Sequence, residues 1–145
     1  MIEKVILLRL TKHCMDKDLL RPEQFGFRNG HSTTNQLLRV VEHITHGFNR
    51  SKTTAAVLLD VEKAFDRIWH PGIVLKLHRA GVPDALTHLI HSYLNGRAFH
   101  TCVEGKLSKQ QDIKAGVPQG SLLGPLLFNL YINDIPTTND TITAI

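Results

Sequence analysis

The stretch AAVLLDVEKAFDRIWH, residues 55–70, constrains the fold more than any other part of the chain. An uninterrupted apolar run stops at Asp60. A short apolar run bounded by polar residues predicts a strand buried on both faces, here over residues 54–60. That puts one carboxylate at the C-terminal end of the strand. A carboxylate in that place has two readings. It caps the helical turn that follows, residues 61–66, or it serves as an oxygen ligand to a hard cation such as Mg²⁺. No glycine-rich loop ending in Lys and Ser or Thr is present, so the strand does not belong to a P-loop.

Around this run the pattern predicts helices and one hairpin. Ile2, Ile6 and Leu10, with Val5 beside them, predict an amphipathic helix over residues 2–10. RPEQFGFRNGHSTTN, residues 21–35, reads as a loop punctuated by Pro22, Gly26 and Gly30. Leu37, Leu38, Val41 and Ile44 then repeat at helical spacing, with Ser32, Thr33 or Thr34 available as the cap. Ile73 and Leu77 mark a helix over 72–80 that Gly81 ends. PDALTHLIHSYLNGR, residues 83–97, gives the clearest helix, capped by Asp84, striped by Leu86, Leu89, Ile90, Tyr93 and Leu94, and closed by Gly96. Residues 97–103 and 107–114 read as a hairpin turning at Glu104-Gly105-Lys106. A last helix over residues 122–133 takes Pro125 in its first turn.

Composition narrows the class. The chain has 145 residues, 42% of them hydrophobic and 21% charged, which fits a globular domain or a piece of a larger one. The net charge of +4 permits a nucleic-acid partner without requiring one. Cys14 and Cys102 follow no pairing motif, which fits a reducing compartment. MIEKVILLRL carries charges inside its apolar run and is no signal peptide. SLLGPLLFNLYI is shorter than the roughly 20 residues a bilayer span needs. The expectation is therefore an intracellular protein with no membrane partner. His43 with His46, and His88 with His91, lack the Glu and Cys neighbours of a zinc motif and read as helix-face residues.

The third informative element is AGVPQGSLLGPLLFNLYIND, residues 115–134. Gly116 and Gly120 allow positive φ and close approach of a ligand. Pro118 stiffens the turn between them, and Gln119 offers both donors and acceptors. By itself this is a turn before a helix.

Together, QFGFRNGHSTTNQL, LLDVEKAFDRIWH and GVPQGSLLGPLLFNLYINDIP occur in the order found in reverse transcriptases. The chain resembles the polymerase domain of non-LTR retrotransposons of the LINE and jockey type, and more distantly group II intron reverse transcriptases. The likeness runs through nearly the whole chain, including EKVILLRL and LNGRAFHTCVEGKLSKQQDIKAGVPQG.

The resemblance implies an α+β fold: the fingers (residues 1–52) and palm (53–145) portions of a right-hand polymerase, with an antiparallel palm sheet backed by helices. It implies RNA-directed DNA synthesis, with RNA template, DNA primer and deoxynucleoside triphosphates as partners. Two Mg²⁺ ions, or Mn²⁺, would serve as cofactors. A nuclear and cytoplasmic ribonucleoprotein would be the setting.

Carried onto this chain, Asp60 is the first catalytic metal ligand, assisted by the Val61 carbonyl. Phe65 is the ring under the sugar of the incoming nucleotide, where it excludes a 2′-hydroxyl. Pro118, Gln119 and Gly120 shape the nucleotide pocket, and Arg28 meets the triphosphate.

The paired aspartates of the family lie in an aromatic-Ala-Asp-Asp turn. The sequence ends TITAI, which resembles the run leading into that turn. Asp134 and Asp140 read as surface or capping residues and not as substitutes. The upstream fingers, thumb and any endonuclease domain are expected to be absent as well. The expectation is a fragment truncated before the catalytic hairpin, inactive alone and marginal in stability. The rival readings are a domesticated remnant that binds RNA or a protein, and a viral RNA-dependent RNA polymerase, against which Phe65 counts.

Overall fold

The computed structural model describes residues 2–136 and 141–145. In chain order the elements are α1 (Ile2–Asp16), α2 (Thr33–Asn49), a 3₁₀ turn (Ala64–Arg67), α3 (His70–Arg79) and α4 (Asp84–Leu94). Then come β1 (Ala98–Phe99), β2 (Cys102–Val103), β3 (Lys106–Leu107), β4 (Gln111–Asp112) and α5 (Gly124–Ile132). The mixture is α+β with helices dominant.

Four helices make the core. α3 packs against α4 and α5, and α1 packs against α4. Ile6, Leu10 and Cys14 come from α1, four residues apart on one face. Ile73 and Leu77 come from α3, Leu86, Ile90 and Leu94 from α4, and Leu126, Leu127 and Leu130 from α5. Ile68, Val82, Val117 and Leu123 close the gaps between them. Burial of the Cys14 thiol pushes its pKa up to about 11. The α1 stripe is shifted by one turn from the expected one, because Ile2 and Val5 are exposed while Cys14 is buried.

Turn chemistry fixes the ends. Ser32 caps α2 by accepting from the Asn35 N–H at 3.1 Å. Gly81 and Gly96 follow α3 and α4 with positive φ. Asp84 is not the cap of α4. Pro83 holds that place, and its carbonyl accepts from the Leu86 and Thr87 N–H groups at 2.9 and 3.0 Å. The Asp84 carboxylate lies 3.4 Å from His78 instead.

The hairpin forms with a shorter turn than expected. Val103 pairs with Lys106, leaving Glu104 and Gly105 as a two-residue loop with φ of 47° and 78°. Positive φ at both positions is the type I′ pattern, whose twist suits a hairpin. Ala98 pairs with Asp112 and Phe99 with Gln111, but Cys102 pairs with Leu107. The register slips by one residue between the two pairs, as at a β-bulge, and Ser108 fills the gap by bonding the Thr101 backbone.

Residues 54–60 depart most from expectation. They form no strand. Val57, Leu58 and Leu59 are 85, 92 and 88% exposed. An apolar run becomes a buried strand only where another segment pairs with it and covers its faces, and among the described residues none does. α2 is amphipathic in the same uncovered way, with Leu37, Leu38, Val41 and Phe48 exposed. It is tied down at Gln36 and Arg39, whose side chains donate to the carbonyls of Glu23 and Thr143 at 3.0 and 3.1 Å. Ile145 lies beside residues 23–25 through backbone bonds to Glu23 and Phe25.

Candidate functional site

Asp60 and Val61 close the exposed apolar run, and both are exposed. Asp60 does not cap the turn that follows. That place falls to Lys63, with φ of 53°, whose carbonyl accepts from the Asp66 and Arg67 N–H groups at 2.9 and 3.1 Å. Glu62 pairs with Arg67 at 3.1 Å on the surface.

Phe65 is half-buried in an aromatic cluster. Its ring meets Phe27 edge-on, 5.9 Å between centroids, and Phe128 at 5.2 Å. Phe27 adopts a left-handed φ of 54°, uncommon for a bulky residue and a mark of a constrained loop. The constraint is visible. Gln24 and Asn129 are buried, 3.1 Å apart, and both donate to the Gly26 carbonyl. Arg28, next in sequence to Phe27, donates to the Arg21 carbonyl at 2.8 Å.

The turn that carries Phe65 is stitched to the glycine loop. The Val117 N–H donates to the Phe65 carbonyl at 2.9 Å, and the Gly116 N–H to that of Ile68 at 2.8 Å. Trp69 and Ala115 form an antiparallel bridge. Buried His70 places Nε2 2.8 Å from the Gly116 carbonyl. A carbonyl only accepts, so Nε2 carries the proton. Gly116 itself has φ of 86°, and a Cβ there would lie 2.7 Å from the Asp66 carbonyl oxygen. The close approach therefore requires glycine.

From this seam the chain enters a second turn, in which the Ser121 N–H donates to the Pro118 carbonyl at 3.0 Å. Gly120, with φ of 79°, fits the third position of a type II turn. Pro118 is half-buried, while Gln119 and Gly120 stand exposed at the tip. Ser121 ends the turn just ahead of α5, its Oγ accepting from the Leu123 and Gly124 N–H groups at 3.1 and 3.0 Å. The Ser121 hydroxyl donates to the Glu3 carboxylate at 2.6 Å, and the Tyr93 hydroxyl lies 3.0 Å from the same oxygen. The Ser121 hydroxyl above all, with help from the Leu123 N–H and Tyr93, holds the Glu3 carboxyl below its ordinary pKa despite partial burial.

The fold thus brings together Phe65, the Pro118–Gly120 turn and, through Phe27, the loop bearing Arg28. Among the described residues no group of three or more His, Cys, Asp or Glu side chains comes together to hold a metal ion. Asp134 is exposed and paired with Lys76 at 2.6 Å, and Asp140 lies outside the described residues. A two-metal centre, with ions about 3.5–4 Å apart, needs several oxygen ligands. One exposed aspartate and one carbonyl do not fit it by themselves.

A cavity of about 680 Å³ is lined by Leu7, Cys14, Met15 and Leu126 on one side and by residues 27–29 and His31 of the Arg28 loop on the other. No helix among the described residues is long and apolar enough to cross a membrane.

Glu3, Ser121, Gln24, Asn129 and His70 were not marked by sequence as site residues, and Tyr93 entered only as part of a helix stripe. Only Ser121 carried a signal, a serine just before a helix. The others act across long sequence separations.

A family model described as "Reverse transcriptase (RNA-dependent DNA polymerase)" matches residues 1–144. The chain is 42% identical over 137 residues to the "RNA-directed DNA polymerase from mobile element jockey" of Drosophila melanogaster, covering 94% of this chain and 15% of that protein. It is 42% identical over 135 residues to the "Probable RNA-directed DNA polymerase from transposon X-element" of the same species, covering 92% and 15%. A third relative there, "Probable RNA-directed DNA polymerase from transposon BS", is 39% identical over 137 residues, covering 94% and 15%. The chain spans about 15% of the length of these curated relatives.

Proposed function

The chain belongs to the reverse transcriptase (RNA-dependent DNA polymerase) family, and on that premise we propose that it is the fingers–palm portion of a non-LTR retrotransposon RNA-directed DNA polymerase. In this reading residues 1–52 belong to the fingers and 53–145 to the palm. RNA template, DNA primer and deoxynucleoside triphosphates are the partners, in a nuclear and cytoplasmic ribonucleoprotein. The observation that carries the reading is the seam between residues 65–68 and 116–117. It bonds the backbone turn that bears Phe65 to the residues just before the Pro-Gln-Gly turn, which supports a base-and-sugar pocket built from the two.

Each residue has a task. Phe65, wedged between Phe27 and Phe128, presents a ring that leaves no room for a 2′-hydroxyl. Gln119, exposed at the turn tip, offers hydrogen bonds to a base or sugar. Pro118 and Gly120 set the turn that carries it. Arg28 would meet the triphosphate as a charge-assisted donor, with its bond to the Arg21 carbonyl exchanged for phosphate. Asp60 and the Val61 carbonyl are this chain's contribution to a divalent-metal site, Mg²⁺ or in its place Mn²⁺. The remaining carboxylates of that site are not assembled among the described residues, so a polypeptide of these 145 residues alone does not polymerise.

The test is RNA-templated primer extension by a longer polymerase containing this segment, beside the 145-residue chain alone. The longer enzyme extends the primer and Asp60→Ala abolishes extension, while the short chain extends none. Extension by the short chain, or full activity of Asp60→Ala, would contradict the reading. The remnant reading predicts salt-dependent RNA binding with no effect of nucleotide.

A further inference from the structure

The Pro118–Gly120 turn is exposed at its tip, at Gln119 and Gly120. The direction in which Gln119 points is therefore set by how the turn is rooted at its two ends. One root is the seam, where the Gly116 and Val117 N–H groups bond the Ile68 and Phe65 carbonyls. The other is Ser121, whose N–H closes the turn on the Pro118 carbonyl. A serine ahead of a helix needs only to accept from the first N–H groups, as Ser121 does from Leu123 and Gly124. Here its hydroxyl also donates to a carboxylate 118 residues away in sequence. Glu3 Oε1 accepts that bond at 2.6 Å, and the Tyr93 hydroxyl stands 3.0 Å from the same oxygen and 2.9 Å from Ser121 Oγ.

Two helices thus converge on the residue that follows Gly120. A hydrogen bond to an ionised carboxylate is about twice as strong as a neutral one, so Ser121 is held on its donor side as firmly as on its acceptor side. Both partners stand on elements fixed by the core. α1 packs on α4, with Ile6 buried one turn beyond Glu3, and Ile90 and Leu94 buried on either side of Tyr93. The core passes its rigidity through these two side chains to the turn.

On the reading that Gln119 meets the incoming nucleotide, we propose that Glu3 and Tyr93 are positioning residues for nucleotide binding. Through the Ser121 hydroxyl they fix the Pro118–Gly120 turn in the orientation from which Gln119 reaches base or sugar. Neither touches the nucleotide. Their part is to order the turn beforehand, so that binding does not have to. Without them the turn samples several arrangements of which only a fraction binds, and apparent affinity falls by that fraction. The chemical step after binding is unchanged.

Single-turnover incorporation of one deoxynucleotide by a longer polymerase containing this segment tests it. Nucleotide affinity, maximal rate and amplitude are read separately. Glu3→Ala is expected to weaken apparent nucleotide affinity about fivefold or more, with the maximal rate within about twofold. Tyr93→Phe, which removes only the hydroxyl, weakens it about threefold. Glu3→Gln keeps an oxygen acceptor for Ser121 and recovers most of the loss. A merely structural fault would instead lower the amplitude, the fraction of active enzyme, and leave affinity alone. Gln119→Ala weakens affinity by itself, and adding Glu3→Ala to it costs less than about twofold more, because both act through one contact. Unchanged affinity in Glu3→Ala and Tyr93→Phe beside a weakened Gln119→Ala overturns the positioning role and leaves the pocket reading standing. So do fully additive effects of Glu3→Ala and Gln119→Ala. Unchanged affinity in Gln119→Ala overturns the pocket reading and the positioning role with it. If Glu3→Ala does not fold, Tyr93→Phe with and without Gln119→Ala decides.

Discussion

Leu77 and Leu58 are the same side chain in opposite circumstances. Leu77 is fully buried between helices, and Leu58 is 92% exposed on a segment with no regular structure. Both sit in apolar patterns that call for burial. What separates them is the neighbourhood. α3 carries its stripe onto α4 and α5, whereas residues 54–60 find no covering surface among the described residues. Hydrophobic pattern states a demand for burial, and only tertiary contact meets it.

The sharpest way to break that contrast is to truncate both leucines. Leu77→Ala leaves a cavity among Ile73, Ile90 and their neighbours and is expected to lower unfolding free energy by about 2–5 kcal/mol. Leu58→Ala is expected to stay within about 0.5 kcal/mol of the parent. Urea denaturation of the two variants side by side checks this. A comparable loss at both positions would mean that residue 58 is covered in solution.

A smaller effect is expected at the seam. Gly116→Ala places a methyl group against the Asp66 backbone at a φ of 86°. Destabilisation of about 1–3 kcal/mol follows from the strain. Loss of the bonds from Gly116 and Val117 would also free the turn that carries Phe65. Denaturation gives the stability, and protection of the Val117 amide from hydrogen exchange reads the seam directly.

A still smaller loss is expected at Glu3, at the edge of the core. Glu3→Ala removes the acceptor shared by Ser121, Tyr93 and Leu123 and is expected to cost about 1–2 kcal/mol. Its pH dependence has a definite sign. The folded carboxyl has a lowered pKa, so its contribution is complete above the unfolded glutamate value of about 4.3. It fades as pH falls through that value and then through the lower folded one. Stability of the parent relative to Glu3→Gln should therefore shrink on acidification through this window and stay level above it. A difference that grows on acidification would contradict the assignment.

What sequence made legible was local. Helices α3 and α4 show most of their stripes and their terminal glycines, though Leu89 of the expected α4 stripe is exposed and Thr87 is buried in its place, and the hairpin shows its Glu-Gly turn. Gly116 and Gly120 were marked as positions that allow positive φ, and both have it. Sequence did not reveal why Gly116 must be bare, because Asp66, fifty residues earlier, supplies the crowding. It misjudged residues 54–60 because an apolar run reports that burial is wanted and not whether a partner is present. The Asp84 cap was misplaced because Pro83, with extended backbone, already begins α4. The Glu3–Tyr93–Ser121 network joins three distant elements and leaves no local trace.

Phe65 carries the central claim, since its ring is either a wall for the incoming sugar or only packing for Phe27 and Phe128. The direct measurement is the ratio of ribonucleotide to deoxynucleotide incorporation by a longer polymerase containing this segment, before and after Phe65→Val. The account predicts that the smaller side chain admits the 2′-hydroxyl, so that ribonucleotide use rises steeply while deoxynucleotide use largely survives. An unchanged ratio, with both activities falling together as packing is lost, would contradict it.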